Sequence, residues 1–177
     1  VMKVLRRVGI ADALNEQGSH PDFWHSRHWQ TGDLLAQIPL GDFAVKEYGE
    51  SYLTVHRGDF HKLMIEALPD GALTYGKLLV AIEDKGDAVH MRFADGTTAQ
   101  ADLVIGADGV NSRIREELLG PEPPKYAGYL AHRAVFPTPA AKSGMLPFDP
   151  CVKWWSDDRH MMVYFVTGRQ NEIYYVT

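Results

Sequence analysis

The 177-residue sequence predicts a mixed α/β fold in which helices and strands alternate first and an antiparallel β-sheet follows. Three observations carry this. The continuous apolar run Leu103-Val104-Ile105 leads through Gly106-Ala107-Asp108-Gly109 into a helical pattern, the strand–turn–helix order of a sheet covered on both faces. Helical spacing is clean after Asp59, where Phe60, Leu63, Met64, Ala67 and Leu68 fall at i, i+3, i+4, i+7 and i+8. Beyond the stiff stretch Gly120-Pro121-Glu122-Pro123-Pro124 only strand patterns occur, which divides the chain into two sub-structures.

Each element has its own signal. Val1 to Gln17 reads as one amphipathic helix, with Val1, Val4, Leu5, Val8, Ala11 and Leu14 opposite Lys3, Arg6 and Arg7, and Gly18 as its C′ residue. Ser19-His20-Pro21-Asp22 breaks the chain. Phe23 to Ile38 reads as two short strands about a Thr31-Gly32-Asp33 turn, and 41–51 as a loop or short helix. Tyr52 to Val55 is a short strand. Asp59 serves as the N-cap of the next helix, and Pro69-Asp70-Gly71 ends it. Strands follow at 72–75, 78–83 and 89–93; Asp95-Gly96 is a hairpin turn into a strand over 98–105. A helix spans Ser112 to Leu119, and strands are expected at 129–136, 151–155, 160–166 and 172–176. The chain opens inside a helical pattern without a capping residue and closes in the β-rich Ile173-Tyr174-Tyr175-Val176-Thr177, so an internal segment of a longer protein is expected.

Composition excludes several classes. A 45% hydrophobic, 23% charged chain is neither disordered nor collagenous. Eighteen basic against 23 acidic residues give a net charge of −5 without any polybasic run, which argues against nucleic acid or an anionic membrane as partner. One cysteine, Cys151, permits no internal disulfide, and no apolar stretch approaches the roughly 18 residues of a membrane span, so a cytoplasmic protein is expected. The eight histidines lack metal-ligand spacing, and no metal site is expected; His25 and His28 read as surface residues. Trp24, Trp29, Trp154 and Trp155 read first as packing residues.

Two stretches carry chemistry. In Asp102 to Arg115 the turn glycines admit close backbone approach and the helix start favours an anion; an unliganded βα turn explains the same residues equally well. In His56-Arg57-Gly58-Asp59-Phe60-His61-Lys62-Leu63, Arg57 stands where its planar fork reaches a phosphate, against the plainer reading of a solvated arginine. Farther on, His160, Met162 and Tyr164 share one face of a strand by the period of two, with Met161, Val163 and Phe165 on the other. His160 and Tyr164 would lie roughly 13 Å apart, a span that brackets a monocyclic aromatic acid. Nothing near Cys151 marks a reactive thiol, so it reads as a small pocket wall.

Together the stretches at 56–63 and 102–115, about fifty residues apart, resemble the two internal fingerprints of the FAD-dependent aromatic hydroxylases, the p-hydroxybenzoate hydroxylase type of flavoprotein monooxygenase. Phe60 departs from that family's more usual leucine. The strings Gly18 to Trp24, Cys151 to Ser156 and Asp158 to Tyr164 are most similar to the branch that decarboxylates a hydroxylated pyridine carboxylate. The resemblance implies an α/β fold made of part of a Rossmann-like FAD-binding domain (1–20 and 51–124) with an inserted, mostly antiparallel substrate sheet (21–50 and 125–177).

It also implies roles. Arg57 would contact the phosphate-bearing part of FAD, Leu79 the adenine end through its backbone, and Asp108 and Gly109 both FAD and the nicotinamide donor. Cys151, His160 and Tyr164 would line the substrate pocket, with Tyr164 and His160 orienting the substrate or moving its proton. NADH would be the reductant, molecular oxygen the co-substrate, and a small aromatic or pyridine carboxylate the substrate; salicylate or p-hydroxybenzoate is the alternative. A non-catalytic binding or assembly module on the same fold is the reading from another class. No dinucleotide fingerprint G-x-G-x-x-G is present, so the segment alone is expected to bind FAD weakly or not at all and to lack turnover.

Overall fold

The computed structural model describes residues 1–137 and 151–177; the stretch 138–150, counted above with the substrate sheet, lies outside the described residues. The chain forms two compact units, one from residues 1–69 with 130–177 and the other from 70–129.

The first unit opens with two helices, α1 (Met2–Arg7) and α2 (Ala11–Gln17), where the periodicity predicts one. The break falls at Gly9, whose φ of 80° is left-handed and ends the first helical run. Ile10, Ala11 and Leu14 then turn into the core. Arg6 holds Glu50 bidentately along one guanidinium edge, Nε to Oε1 at 2.6 Å and Nη2 to Oε2 at 2.7 Å. Strands β1 (Phe23–His28) and β2 (Leu34–Pro39) form the expected hairpin, and α3 (Gly41–Tyr48) follows.

Residues 52–55 do not form the expected strand. They make an isolated bridge, Thr54 with Ser19, closed by hydrogen bonds of 2.8 and 2.9 Å, because the backbone meets a partner at one residue only. Side-chain and backbone bonds to the neighbouring sheet replace the ladder: Thr54 Oγ1 donates to the Phe165 carbonyl at 2.6 Å and His56 N to the Val166 carbonyl at 2.8 Å. Helix α4 (Arg57–Glu66) starts three residues earlier than Asp59 as a cap predicts. His56 is its cap, Nδ1 accepting from Gly58 N at 3.2 Å, and Asp59 lies in the first turn, where a carboxylate suits the helix dipole.

Strands β3 (Leu79–Asp84), β4 (Val89–Phe93) and β5 (Thr98–Ala101) form an antiparallel sheet in the second unit, followed by α5 (Arg113–Leu119). No strand forms at 72–75. The expected strand over 98–105 stops at Ala101, and the run Leu103-Val104-Ile105 is irregular, with Leu103 76% and Ile105 80% exposed. Among the described residues no strand pairs with it, and backbone amides without a partner strand cannot make a sheet.

The rest of the first unit is β6 (Arg133–Pro137), β7 (Cys151–Trp155), β8 (His160–Phe165) and β9 (Glu172–Val176). With the hairpin they form a six-stranded sheet in the order β2-β1-β7-β8-β9-β6, antiparallel except between β1 and β7. One face buries Val152, Val163, Phe165 and Ile173, with Trp154 and Tyr175 packed against them. Each such side chain contributes roughly 1.5–3 kcal/mol of burial free energy. That face fixes the register, and the register decides what the other face carries.

Candidate functional site

The alternation that buries Val152 and Val163 turns Cys151 and Tyr164 to the opposite face of the sheet. There the register aligns Cys151 with Tyr164, Tyr164 with Tyr174, and Tyr174 with Val135 in one row across β7, β8, β9 and β6. The rings of Tyr164 and Tyr174 touch with centroids 5.0 Å apart. Cys151 is completely buried.

Burial governs the electrostatics of this row. It pushes the Cys151 thiol up to about 11, which keeps the sulfur protonated at neutral pH. Burial, then the neighbouring Tyr174, Tyr52 and Cys151, push the Tyr164 phenol up to about 12, against an opposing pull from the Arg133 guanidinium. Tyr164 is therefore a hydrogen-bond donor in the resting site. Tyr52, raised by burial and by Cys151, belongs to the same cluster. Sequence reasoning missed Tyr52, Tyr174 and Arg133. The period of two along β9 and β6 could have flagged the last two, but nothing local marks Tyr52.

His160 lies at the far end of β8. Its register partner is Trp155, with ring centroids 5.5 Å apart, and Lys153 Nζ stands 3.7 Å over the Trp155 ring. His160 is exposed and borders a cavity of about 610 Å³ with Trp29, Trp154 and Arg159. The structure thus unites Cys151 with Tyr164 and sets His160 apart along the strand. Trp29 and Trp155 are more than two-fifths exposed, whereas Trp154 packs on the core. A second, mainly apolar cavity of about 670 Å³ is walled by Leu14, Ile38, Phe43, Tyr52 and Phe60, among others.

Arg57 occupies the first residue of α4, exposed and without a hydrogen bond or ion pair among the described residues. Leu79, Asp108 and Gly109 belong to the second unit. Leu79 opens β3 and is half-buried. The Asp108 carboxylate turns onto its own helix, accepting from Ser112 Oγ at 2.5 Å, Arg113 N at 2.7 Å and Ile114 N at 3.2 Å, and these bonds, led by Ser112, hold it below the usual carboxylate range. Gly109 has φ 82°, and a Cβ there would meet nothing within 4 Å, so its backbone is open to a ligand. At Gly106 a Cβ would lie 2.9 Å from Ile114 Cγ2; glycine lets the turn close on α5. Among the described residues no group of three or more His, Cys, Asp or Glu could hold a metal.

A mostly antiparallel sheet with a thiol–phenol row in one unit, and in the other a strand–turn–helix segment whose Gly109 backbone stands open, are the parts of an α/β protein. The chain belongs to the FAD binding domain family, which matches residues 1–130. It is 78% identical over all 177 residues to 6-hydroxynicotinate 3-monooxygenase of Pseudomonas fluorescens, and 67% identical over the same length to that of Bordetella bronchiseptica. It covers 46% of each, and so spans about half the length of the curated relatives it matches. Klebsiella pneumoniae HpxO complexed with FAD and uric acid shares the fold, with TM-score 0.84 at 23% identity over 99% of this chain and 44% of that one. No helix among the described residues is long and apolar enough to cross a membrane.

Proposed function

We propose that this chain is part of a cytoplasmic FAD-dependent monooxygenase that hydroxylates 6-hydroxynicotinate at the carboxylate-bearing carbon. The ring gains one oxygen atom of O2, the carboxylate leaves as carbon dioxide, the second oxygen leaves as water, and NADH supplies two electrons. The product is 2,5-dihydroxypyridine. The observation that carries this reading is the 78% identity across the whole chain, including the strands that bear Cys151 and Tyr164.

The residues fit a dinucleotide cofactor. Arg57 is a guanidinium without a protein partner among the described residues, suited to a phosphate, and Gly109 is an open turn. On this reading Arg57 holds the phosphate-bearing part of FAD, the Leu79 backbone the adenine end, and Gly109 the close approach. Asp108 shapes that turn by capping α5. The residues 1–20 and 51–124 then belong to the FAD-binding portion, and 21–50 with 125–177 to the substrate portion. Bound FAD supplies the oxygen chemistry.

The chain's own residues orient the ring. Tyr164, protonated, donates to the substrate's ring oxygen or carboxylate, and neutral Cys151 packs against the ring as a wall. His160, farther along β8, meets the other end of the substrate.

The test is substrate-stimulated NADH oxidation by the full-length protein with 6-hydroxynicotinate, salicylate and 4-hydroxybenzoate. Stimulation by 6-hydroxynicotinate with equal carbon dioxide release is expected. Preference for a benzoate discards the substrate; no stimulation in a flavin-loaded protein turns the reading to a non-catalytic module. The isolated 177 residues are expected to bind FAD weakly and to show no turnover, and stoichiometric flavin copurifying with them would overturn that.

A further inference from the structure

Tyr52 lies between two features that the sequence does not connect. Tyr52 lines the apolar cavity bordered by Ile38 and Phe43, and its phenol is raised by Cys151 and in turn raises Tyr164. The segment that carries it is held from several sides. Glu50 is gripped by Arg6, Ser51 Oγ donates to Asn15 Oδ1, Thr54 bridges Ser19 and reaches the Phe165 carbonyl, and His56 N donates to the Val166 carbonyl. Phe165 and Val166 directly follow Tyr164, so this pinning anchors the segment of Tyr52 at the Tyr164 end of β8.

We propose that Tyr52 is a substrate-binding residue whose phenol, beside Tyr164, donates a hydrogen bond to the anionic carboxylate of a small aromatic acid while its ring walls the apolar space. The chemistry is consistent. Cys151 and Tyr164 face the same side of the sheet and both stay protonated, so the cluster offers donors and no competing anion. Burial and Cys151 likewise raise the Tyr52 phenol, which leaves it a donor at neutral pH. Two neighbouring phenol donors suit a carboxylate, whose two oxygens accept together. The inference rests on the reading of the Tyr164 face as the substrate site.

The test is calorimetric binding to the full-length, flavin-loaded protein, comparing 6-hydroxynicotinate with 2-hydroxypyridine, which lacks the carboxylate. Tyr52→Phe is expected to weaken 6-hydroxynicotinate about tenfold, the worth of one hydrogen bond to a charged group, and to leave 2-hydroxypyridine within twofold. A purely structural role would weaken both alike and overturns the proposal. Tyr52→Leu, which keeps an apolar wall, should repeat the selective loss if the phenylalanine variant folds poorly. Tyr164→Phe is measured in parallel. If Tyr164→Phe weakens the acid and both Tyr52 variants do not, this inference alone fails; if none of the three does, the site reading fails with it.

Discussion

Cys151 and Tyr164 are direct cross-strand partners, one on β7 and one on β8, and both leave the sheet on the face opposite Val152 and Val163. Directly opposed side chains have Cβ atoms about 4.5–5.5 Å apart, so thiol and phenol share one small, desolvated space. Neither ionises near neutrality, because burial penalises the charged form of each.

Cys151 should therefore be inert in the native protein. Iodoacetamide at pH 8 is expected to leave its peptide unlabelled in the folded full-length protein and to label it in urea, as read by peptide mass spectrometry. Cys151→Ser puts a more polar hydroxyl into the fully buried position of the thiol. A loss of about 1–3 kcal/mol in urea stability is expected.

Tyr164 gives an alkaline signature. Its folded-state value of about 12 lies above the ordinary tyrosine range, so the folded state keeps a proton that the unfolded chain releases first. The stability from this group is complete below about pH 10 and is lost as pH rises toward 12. The urea midpoint should fall between pH 9 and 11 by more in the parent than in Tyr164→Phe; equal falls would show that Tyr164 is not buried as described.

Gly106 is a packing requirement. The added methyl of Gly106→Ala meets Ile114 at 2.9 Å, and β-branched isoleucine has little rotamer freedom to yield. Overpacking of this kind costs about 1–3 kcal/mol. The double variant Gly106→Ala/Ile114→Ala should recover part of that loss in a double-mutant cycle, since it removes the clashing carbon.

Asp108 accepts from two first-turn amides of α5 and from the Ser112 hydroxyl, so Asp108→Ala should speed amide hydrogen exchange at Arg113 and Ile114 without changing exchange in β3–β5. Its folded-state value is lowered, so the stability it contributes is present above the ordinary carboxylate range and lost as pH falls through the folded-state value. Exchange at those two amides should rise selectively in acid in the parent.

Arg57 is exposed and unpaired among the described residues, so its removal costs the fold little. Arg57→Ala in the full-length protein is expected to lower FAD retention on gel filtration with an unchanged far-ultraviolet spectrum. Unchanged flavin content would remove Arg57 from the cofactor site.

Much of this was legible in the sequence because it rests on local physics. The period-two alternation of His160 to Phe165 places Tyr164 opposite the core-facing Val163 in any sheet, and the Gly-bearing turn after Asp102 announces a helix start that Ser112 then caps. The spacing of Phe60, Leu63 and Met64 announces α4 in the same way. Tertiary structure decided the rest. A left-handed Gly9 splits the first helix although its apolar spacing runs on, and His56 takes the cap because its ring, not Asp59, reaches the Gly58 amide. Leu103-Val104-Ile105 is apolar enough for a buried strand, but a strand exists only where another backbone accepts its hydrogen bonds. Tyr52 is the clearest case. Its segment is held at the Tyr164 end of β8 by bonds between stretches more than a hundred residues apart, as in Thr54 to Phe165, and long-range contacts of that kind leave no periodic trace in the chain that makes them.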